Sequence, residues 1–205
     1  MNQFISREAL DTKLSEQVAG ILADAVRIKG KASIAVSGGS TPKGFFNALS
    51  LVDLPWDKIT VTLADERWVN IDNDASNTQL VHENLLQNKA QGAKFFHLKQ
   101  GEILSDETLG DLNLAAKTAL LPLDVLILGM GEDGHTASLF PCSDQITSAL
   151  DINNPHALMA VMPKTAPHTR ITFTFASLMT SKNTFLHISG NAKKDVLNKA
   201  LAGND

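Results

Sequence analysis

Cysteine is almost absent: Cys142 is the one thiol in 205 residues. A single cysteine excludes an intramolecular disulfide and a cysteine-rich metal site, and it suits a reducing, cytoplasmic setting. Long apolar runs are missing as well. A membrane span needs roughly 18 apolar residues, and Pro122 and Asp124 interrupt the longest candidate. The polar stretch Met1 to Leu10 lacks the apolar core of a secretory signal. Neither sign of charge dominates. With 18 basic against 22 acidic residues and a formal net charge of −4, nothing global points to nucleic acid or an anionic membrane, although a local basic cluster could still hold a small anion. Internal repeats, low-complexity tracts and linker-like shifts in composition are also lacking, so 1–205 reads as one domain long enough for a substantial core.

Periodicity supplies the elements. Leu10, Leu14, Val18, Ile21, Leu22 and Ala25 recur at helical spacing and predict an amphipathic helix over Arg7 to Ile28. Ala32 to Val36 reads as a strand running into Ser37-Gly38-Gly39-Ser40-Thr41-Pro42. Pro42 suits the first turn of a helix whose apolar face is Phe45, Phe46 and Leu49. Further strands are expected at Ile59 to Leu63, Val125 to Leu128, Leu158 to Met162, Ile171 to Phe175 and Phe185 to Ile188. Helices are expected at Asn77 to Leu86, Leu109 to Leu120 and Ala192 to Ala202. Such alternation predicts an α/β fold: a three-layer sandwich with a mostly parallel, Rossmann-like sheet flanked by helices.

Three predicted strands end in chemically rich loops, and ligands of α/β proteins bind outside the carboxyl ends of strands. The most informative loop spans Leu126 to Pro141, read as L-I-L-G-M-G-E-D-G-H-T-A-S-L-F-P. It presents Asp133 and His135 together, a carboxylate and an imidazole suited to shared proton transfer. Gly129, Gly131 and Gly134 also spell a dinucleotide fingerprint. However, Glu132 and Asp133 would oppose a pyrophosphate, and Pro141 stops any helix early. A plain turn that uses glycines to change direction is the competing reading of this loop taken alone.

Ser37 to Thr41 has the small residues, hydroxyls and following helix start of a phosphate cradle. It lacks the G-K-[ST] ending of a nucleoside-triphosphate loop. In Asp65-Glu66-Arg67-Trp68, Arg67 could clamp a phosphate or carboxylate, and Asp65 could meet a sugar hydroxyl or a reacting carbon. A solvated edge and a packing role for Trp68 are the alternatives there.

Taken in order, S-G-G-S-T-P, D-E-R-W-V, Ser76-Asn77, the Asp-Gly-His loop, Pro167-His168-Thr169-Arg170-Ile171-Thr172 and Gly190-Asn191-Ala192-Lys193-Lys194 resemble the 6-phosphogluconolactonase family. The resemblance covers about Ile34 to Lys194. It implies the fold shared with glucosamine-6-phosphate deaminase and ribose-5-phosphate isomerase. It also implies hydrolysis of 6-phospho-D-glucono-1,5-lactone in the oxidative pentose phosphate pathway, without metal or cofactor. The expected partner is that small sugar-phosphate lactone, with no nucleic acid or membrane, in a monomer or weak homodimer.

By position, Ser37, Gly38, Gly39, Ser40 and Thr41 would hold phosphate, with Arg67, Arg170 and Lys194 as cationic partners. His135 would be the base, with Asp133 orienting it, and glycine-loop N–H groups could stabilise an oxyanion. Two departures from the family pattern are Asn70, where proline often follows D-E-R-W-V, and a somewhat short chain.

The deaminase also carries D-G-H, but typically with a carboxylate immediately before the proline that assists ring opening. Here Phe140 stands in that place and cannot relay a proton. A sugar-phosphate sensor domain is the alternative from another class; it needs the cradle but no base. Among the remaining histidines, His82, His97, His156 and His187 read as surface or packing residues, and His168 as a candidate for the site's rim. Cys142 reads as packing.

Overall fold

Helix α1 (Arg7–Lys29) starts where the Ser6 hydroxyl accepts a hydrogen bond from the Ala9 N–H at 3.2 Å. It stops at Gly30, whose φ of 76° lets its N–H reach the Val26 carbonyl at 2.8 Å. Leu14, Val18, Leu22 and Val26 form its buried stripe. The computed structural model describes residues 1–203.

The remaining elements are β1 (Ala32–Val36), α2 (Lys43–Ser50), β2 (Ile59–Leu63), β3 (Asp65–Arg67), α3 (Asn77–Asn84), β4 (Lys94–Phe95), α4 (Asp106–Ala119) and β5 (Val125–Leu128). They continue with α5 (Ile146–Leu150), β6 (Leu158–Val161), β7 (Arg170–Phe173), α6 (Phe175–Leu178), β8 (Thr184–Leu186) and α7 (Asn191–Leu201). The main sheet has five parallel strands in the order β4-β2-β1-β5-β8 and is flanked by helices, as the alternating pattern predicts. β1 is central, pairing Val36 with Leu63 on one side and Ala35 with Leu126 on the other. All five of its residues are buried, as a strand covered on both faces requires.

Several features depart from expectation, among them the strand expected over Ile171 to Phe175, which ends at Phe173 before Phe175 opens α6. β3, β6 and β7 form a separate antiparallel sheet in the order β3-β7-β6. Short, fully buried runs such as Arg170–Phe173 carry no periodic sign of direction, so the second sheet was not legible. Helix α4 starts at Asp106, earlier than Leu109, because Ser105 caps it through Thr108 N–H at 3.1 Å and Asp106 and Glu107 suit its first turn.

Phe45 and Phe46 are completely buried beside Leu49, Ile34 and Leu63. Each such side chain contributes about 1.5–3 kcal/mol on leaving water. Among the described residues, no helix is long and apolar enough to cross a membrane.

Candidate active site

The segments following β1, β2, β5 and β8 meet with the start of β7 around a cleft of about 380 Å³. Ser37 to Thr41, Asp65, Arg67, Gly129 to Gly131, His135, Phe140, Arg170, His187 and Lys193 are among its lining residues. Ser37 joins two of these loops. Its hydroxyl donates to the Ile127 carbonyl at 3.1 Å and accepts from the Gly129 N–H at 3.2 Å. That hydroxyl serves the fold, while Ser40 and Thr41 also line the cleft. Gly38 lies so close to Asn77 that a Cβ would collide with its side-chain amide, and Gly39 has a φ of 92°. Among the described residues, the N–H groups of Gly38, Gly39, Ser40 and Thr41 have no hydrogen-bond partner within the fold.

The turn after β5 folds Asp133 and His135 back over Gly131, where a Cβ would collide with both side chains. Asp133 Oδ1 lies 2.5 Å from His135 Nδ1 and also accepts the His135 backbone N–H at 3.3 Å. Burial pushes the Asp133 carboxyl up, but these hydrogen bonds and the neighbouring imidazole outweigh it and hold the group below its ordinary value. With Nδ1 facing Asp133, Nε2 is the free ring nitrogen. Phe140 stacks on the imidazole at 4.1 Å between ring centres and 27° between planes, and the Arg170 guanidinium stands 5.7 Å from the Phe140 centroid. The glycine N–H groups of this turn are engaged within the protein. Gly131 donates to the His135 carbonyl at 2.8 Å, Gly134 to Gly131 at 3.1 Å, and Gly129 to Ser37. Of the glycine-loop N–H groups expected to be available to a ligand, those of Gly129, Gly131 and Gly134 are therefore occupied, and those of Gly38 and Gly39 are not, among the described residues.

The antiparallel sheet places two arginines opposite each other, Arg67 on β3 and Arg170 on β7. Like charges directly opposite are unfavourable in a sheet unless an anion joins them. Burial, and next the charge of Arg67, pulls Arg170 down from its ordinary range, while Asp65 and Glu66 act in the opposite sense. Nε of both arginines is buried without a partner among the described residues. Arg67 Nη1 donates to the Ala75 carbonyl at 2.5 Å, and Arg170 Nη2 to Pro167 at 3.2 Å, so both heads are held in place. Asp65 is fixed from behind by the Ser138 hydroxyl at 2.6 Å. Glu66 has a local duty: it accepts the N–H groups of Asn77 at 2.8 Å and Thr78 at 2.7 Å at the start of α3.

Lys194 is not brought to the cleft. Its Nζ lies 3.4 Å from Gln3 Oε1, in a groove beside the N-terminal segment, and Lys193 lines the cleft instead. The direction of a side chain on α7 could not be read from the K-K pair. Sequence reasoning also missed His187, which lies buried just beyond β8 and lines the cleft, near Asp11 of α1. Its position after a sheet strand was the available signal. His168 has a φ of 71° but is not among the lining residues. Among the described residues, no group of three or more histidine, cysteine, aspartate or glutamate side chains is arranged to hold a metal ion.

The family model for glucosamine-6-phosphate isomerases/6-phosphogluconolactonase matches residues 5–205. A 6-phosphogluconolactonase of Rhizobium meliloti strain 1021 is 43% identical over 205 residues, covering 100% of this chain and 88% of the relative. One from Pseudomonas aeruginosa is 41% identical, covering 94% and 81%. Among solved structures, a 6-phosphogluconolactonase from Shewanella baltica superposes with a TM-score of 0.92 at 42% identity, covering 97% of this chain and 84% of that one. A monomeric glucosamine-6-phosphate deaminase shares the fold, with a TM-score of 0.76 at 19% identity and coverage of 98% and 86%. On this likeness in sequence and structure, the chain belongs to the glucosamine-6-phosphate isomerase/6-phosphogluconolactonase family.

Proposed function

We propose that the protein hydrolyses 6-phospho-D-glucono-1,5-lactone to 6-phospho-D-gluconate, with His135 as the general base. The observation that carries this assignment is the Asp133–His135 pair at 2.5 Å, stacked against Phe140 where a deaminase would have a carboxylate. The full-length likeness to proteins named 6-phosphogluconolactonase supports the substrate. In this scheme the phosphate sits between Arg67 and Arg170, with Lys193 and the N–H groups of the Ser37–Thr41 loop around the bound substrate. Asp65, held by Ser138, accepts a sugar hydroxyl.

His135 Nε2 takes a proton from water as the water oxygen bonds to C1. The carbonyl electrons move to the exocyclic oxygen, giving a tetrahedral oxyanion. Collapse of the oxyanion restores the carbonyl and breaks the C1–O5 bond. The imidazolium returns its proton to O5, leaving the carboxylic acid and a free hydroxyl; the acid then ionises. Asp133 holds the imidazole in one orientation and stabilises its charged form. No covalent intermediate is required. This scheme carries with it the cytoplasmic setting suggested by the single thiol, and a monomer or weak homodimer that sedimentation can test.

The deciding experiment supplies fresh 6-phosphogluconolactone and, separately, glucosamine 6-phosphate. Acid release from the lactone above its spontaneous rate, without ammonia from the amino sugar, is the expected result. Ammonia release without lactone turnover would overturn the assignment.

A further inference from the structure

The anion-binding loop is held from behind as well as from the sheet. Arg7 Nη2 donates to the Ser40 carbonyl at 2.6 Å and to the Thr41 carbonyl at 2.7 Å. In a planar trans peptide the C=O and the following N–H point in opposite directions. Fixing the Ser40 carbonyl on Arg7 therefore turns the Thr41 N–H the other way. The Thr41 carbonyl belongs to the peptide entering Pro42, so its bond to Arg7 also fixes the approach to α2.

One turn along α1, Asp11 Oδ2 stands 4.0 Å from Arg7 Nε. The same oxygen lies against Gly44 in the first turn of α2, where a Cβ would collide with it. The other oxygen, Oδ1, is 3.2 Å from His187 Nε2, though without the alignment of a hydrogen bond. The side chains of His187 and Asp11 are only 2% and 8% exposed. Three distant parts of the chain thus meet at one buried carboxylate. Neither member of the pair has a part in the hydrolytic scheme, and burying such groups is costly unless they are compensated. A carboxylate left uncompensated beside the first turn of α2 would also oppose an anion bound there.

We infer that Arg7, Asp11 and His187 form a positioning unit for the anion-binding loop: His187 and Gly44 fix Asp11, Asp11 orients Arg7, and Arg7 sets the peptides of Ser40 and Thr41 for phosphate. The unit reaches the substrate through the loop. This inference rests on the proposed phosphorylated substrate.

The test measures KM and kcat for 6-phosphogluconolactone, and the competitive inhibition constant of inorganic phosphate, for Arg7→Met, Arg7→Lys, Asp11→Asn and the Arg7→Met/Asp11→Asn double variant. The Arg7 side chain is 44% exposed, so its replacement leaves the core intact. Loss of a charge-assisted anchor predicts KM and the phosphate inhibition constant both rising about tenfold for Arg7→Met, with kcat within about twofold. Arg7→Lys recovers part of the loss. Asp11→Asn shifts both constants in the same direction, and the double variant is no worse than Arg7→Met alone, because the residues act in series. Unchanged phosphate inhibition, a loss confined to kcat, or additive effects in the double variant would overturn the inference. Failure of the unaltered protein to accelerate lactone hydrolysis would overturn the assigned function instead.

Discussion

Two imidazole–carboxylate pairs each bring a histidine to the same cleft, and their surroundings suit them to the different work proposed for them. Asp133 and His135 sit in one glycine-shaped turn, 2.5 Å apart and 47% and 27% exposed, with a ring nitrogen free for solvent and substrate. Asp11 and His187 come from opposite ends of the chain, 3.2 Å apart and only 8% and 2% exposed, although His187 lines the cleft. Burial pushes the Asp11 carboxyl up and the His187 imidazole down, each toward its neutral form. Asp133, by contrast, is held below its ordinary value by the hydrogen bonds it accepts. A proton-transfer pair needs access and a stable charged carboxylate; a fastening pair needs enclosure. The chemical groups are the same, and the turn or core around them decides which role they can fill.

The contrast can be broken most sharply at His135. Replacing it by alanine should lower kcat by about 10²–10⁴, with an unchanged melting temperature, as measured by lactone hydrolysis corrected for spontaneous opening. A variant that keeps near-normal kcat would remove the distinction between the pairs. Next in size is the arginine clamp. Arg67→Ala or Arg170→Ala should raise KM by roughly 10–100-fold, as expected from charge-assisted bonds of about 1.5–3 kcal/mol; loss of kcat with unchanged KM would move both residues to a catalytic role.

A smaller effect is expected at Phe140, which stacks on the exposed pair's imidazole. Phe140→Leu should reduce kcat by about two- to tenfold, the value of an aromatic contact of about 0.5–1.5 kcal/mol, with KM preserved. An unchanged kcat would show that the stack does not orient His135.

The smallest effect concerns pH. His187 has its folded pKa depressed by burial, as do His82 and His97, so the unfolded chain binds the extra protons first. Stability should therefore be complete above about pH 6.5, the ordinary histidine value, and fall as pH drops below it. Asp11 has the opposite sign. Its raised folded pKa favours the native state as pH falls toward the ordinary aspartate value, partly offsetting His187. Melting curves across this range should flatten in His187→Gln; a slope equal to that of the unaltered protein would show that His187 does not contribute to it.

Much of this arrangement was legible along the chain. Apolar runs ending in S-G-G-S-T-P, D-E-R-W and the Asp-Gly-His turn located the cleft, because strand ends and glycine turns leave local marks. The fastening pair left none: Asp11 occupies a helix of mixed faces, and His187 follows a strand as short as Thr184–Leu186. Lys193 and Lys194 differ only in which way each points from α7, a matter of tertiary packing. The antiparallel pairing of Arg67 with Arg170 was equally hidden, since each arginine could be read by itself but not their register.

The hydroxyl of Ser37, tied to Ile127 and Gly129, bears on how the protein is made. During synthesis the Ser37–Thr41 loop emerges before the strand that anchors it, and Arg170 and His187 come later still. Nonlocal closures of this kind are costly until their partners exist. A half-made chain therefore has the letters of the loop without its shape. The cleft closes only once the segments carrying Ile127, Arg170 and His187 can reach the Ser37–Thr41 loop.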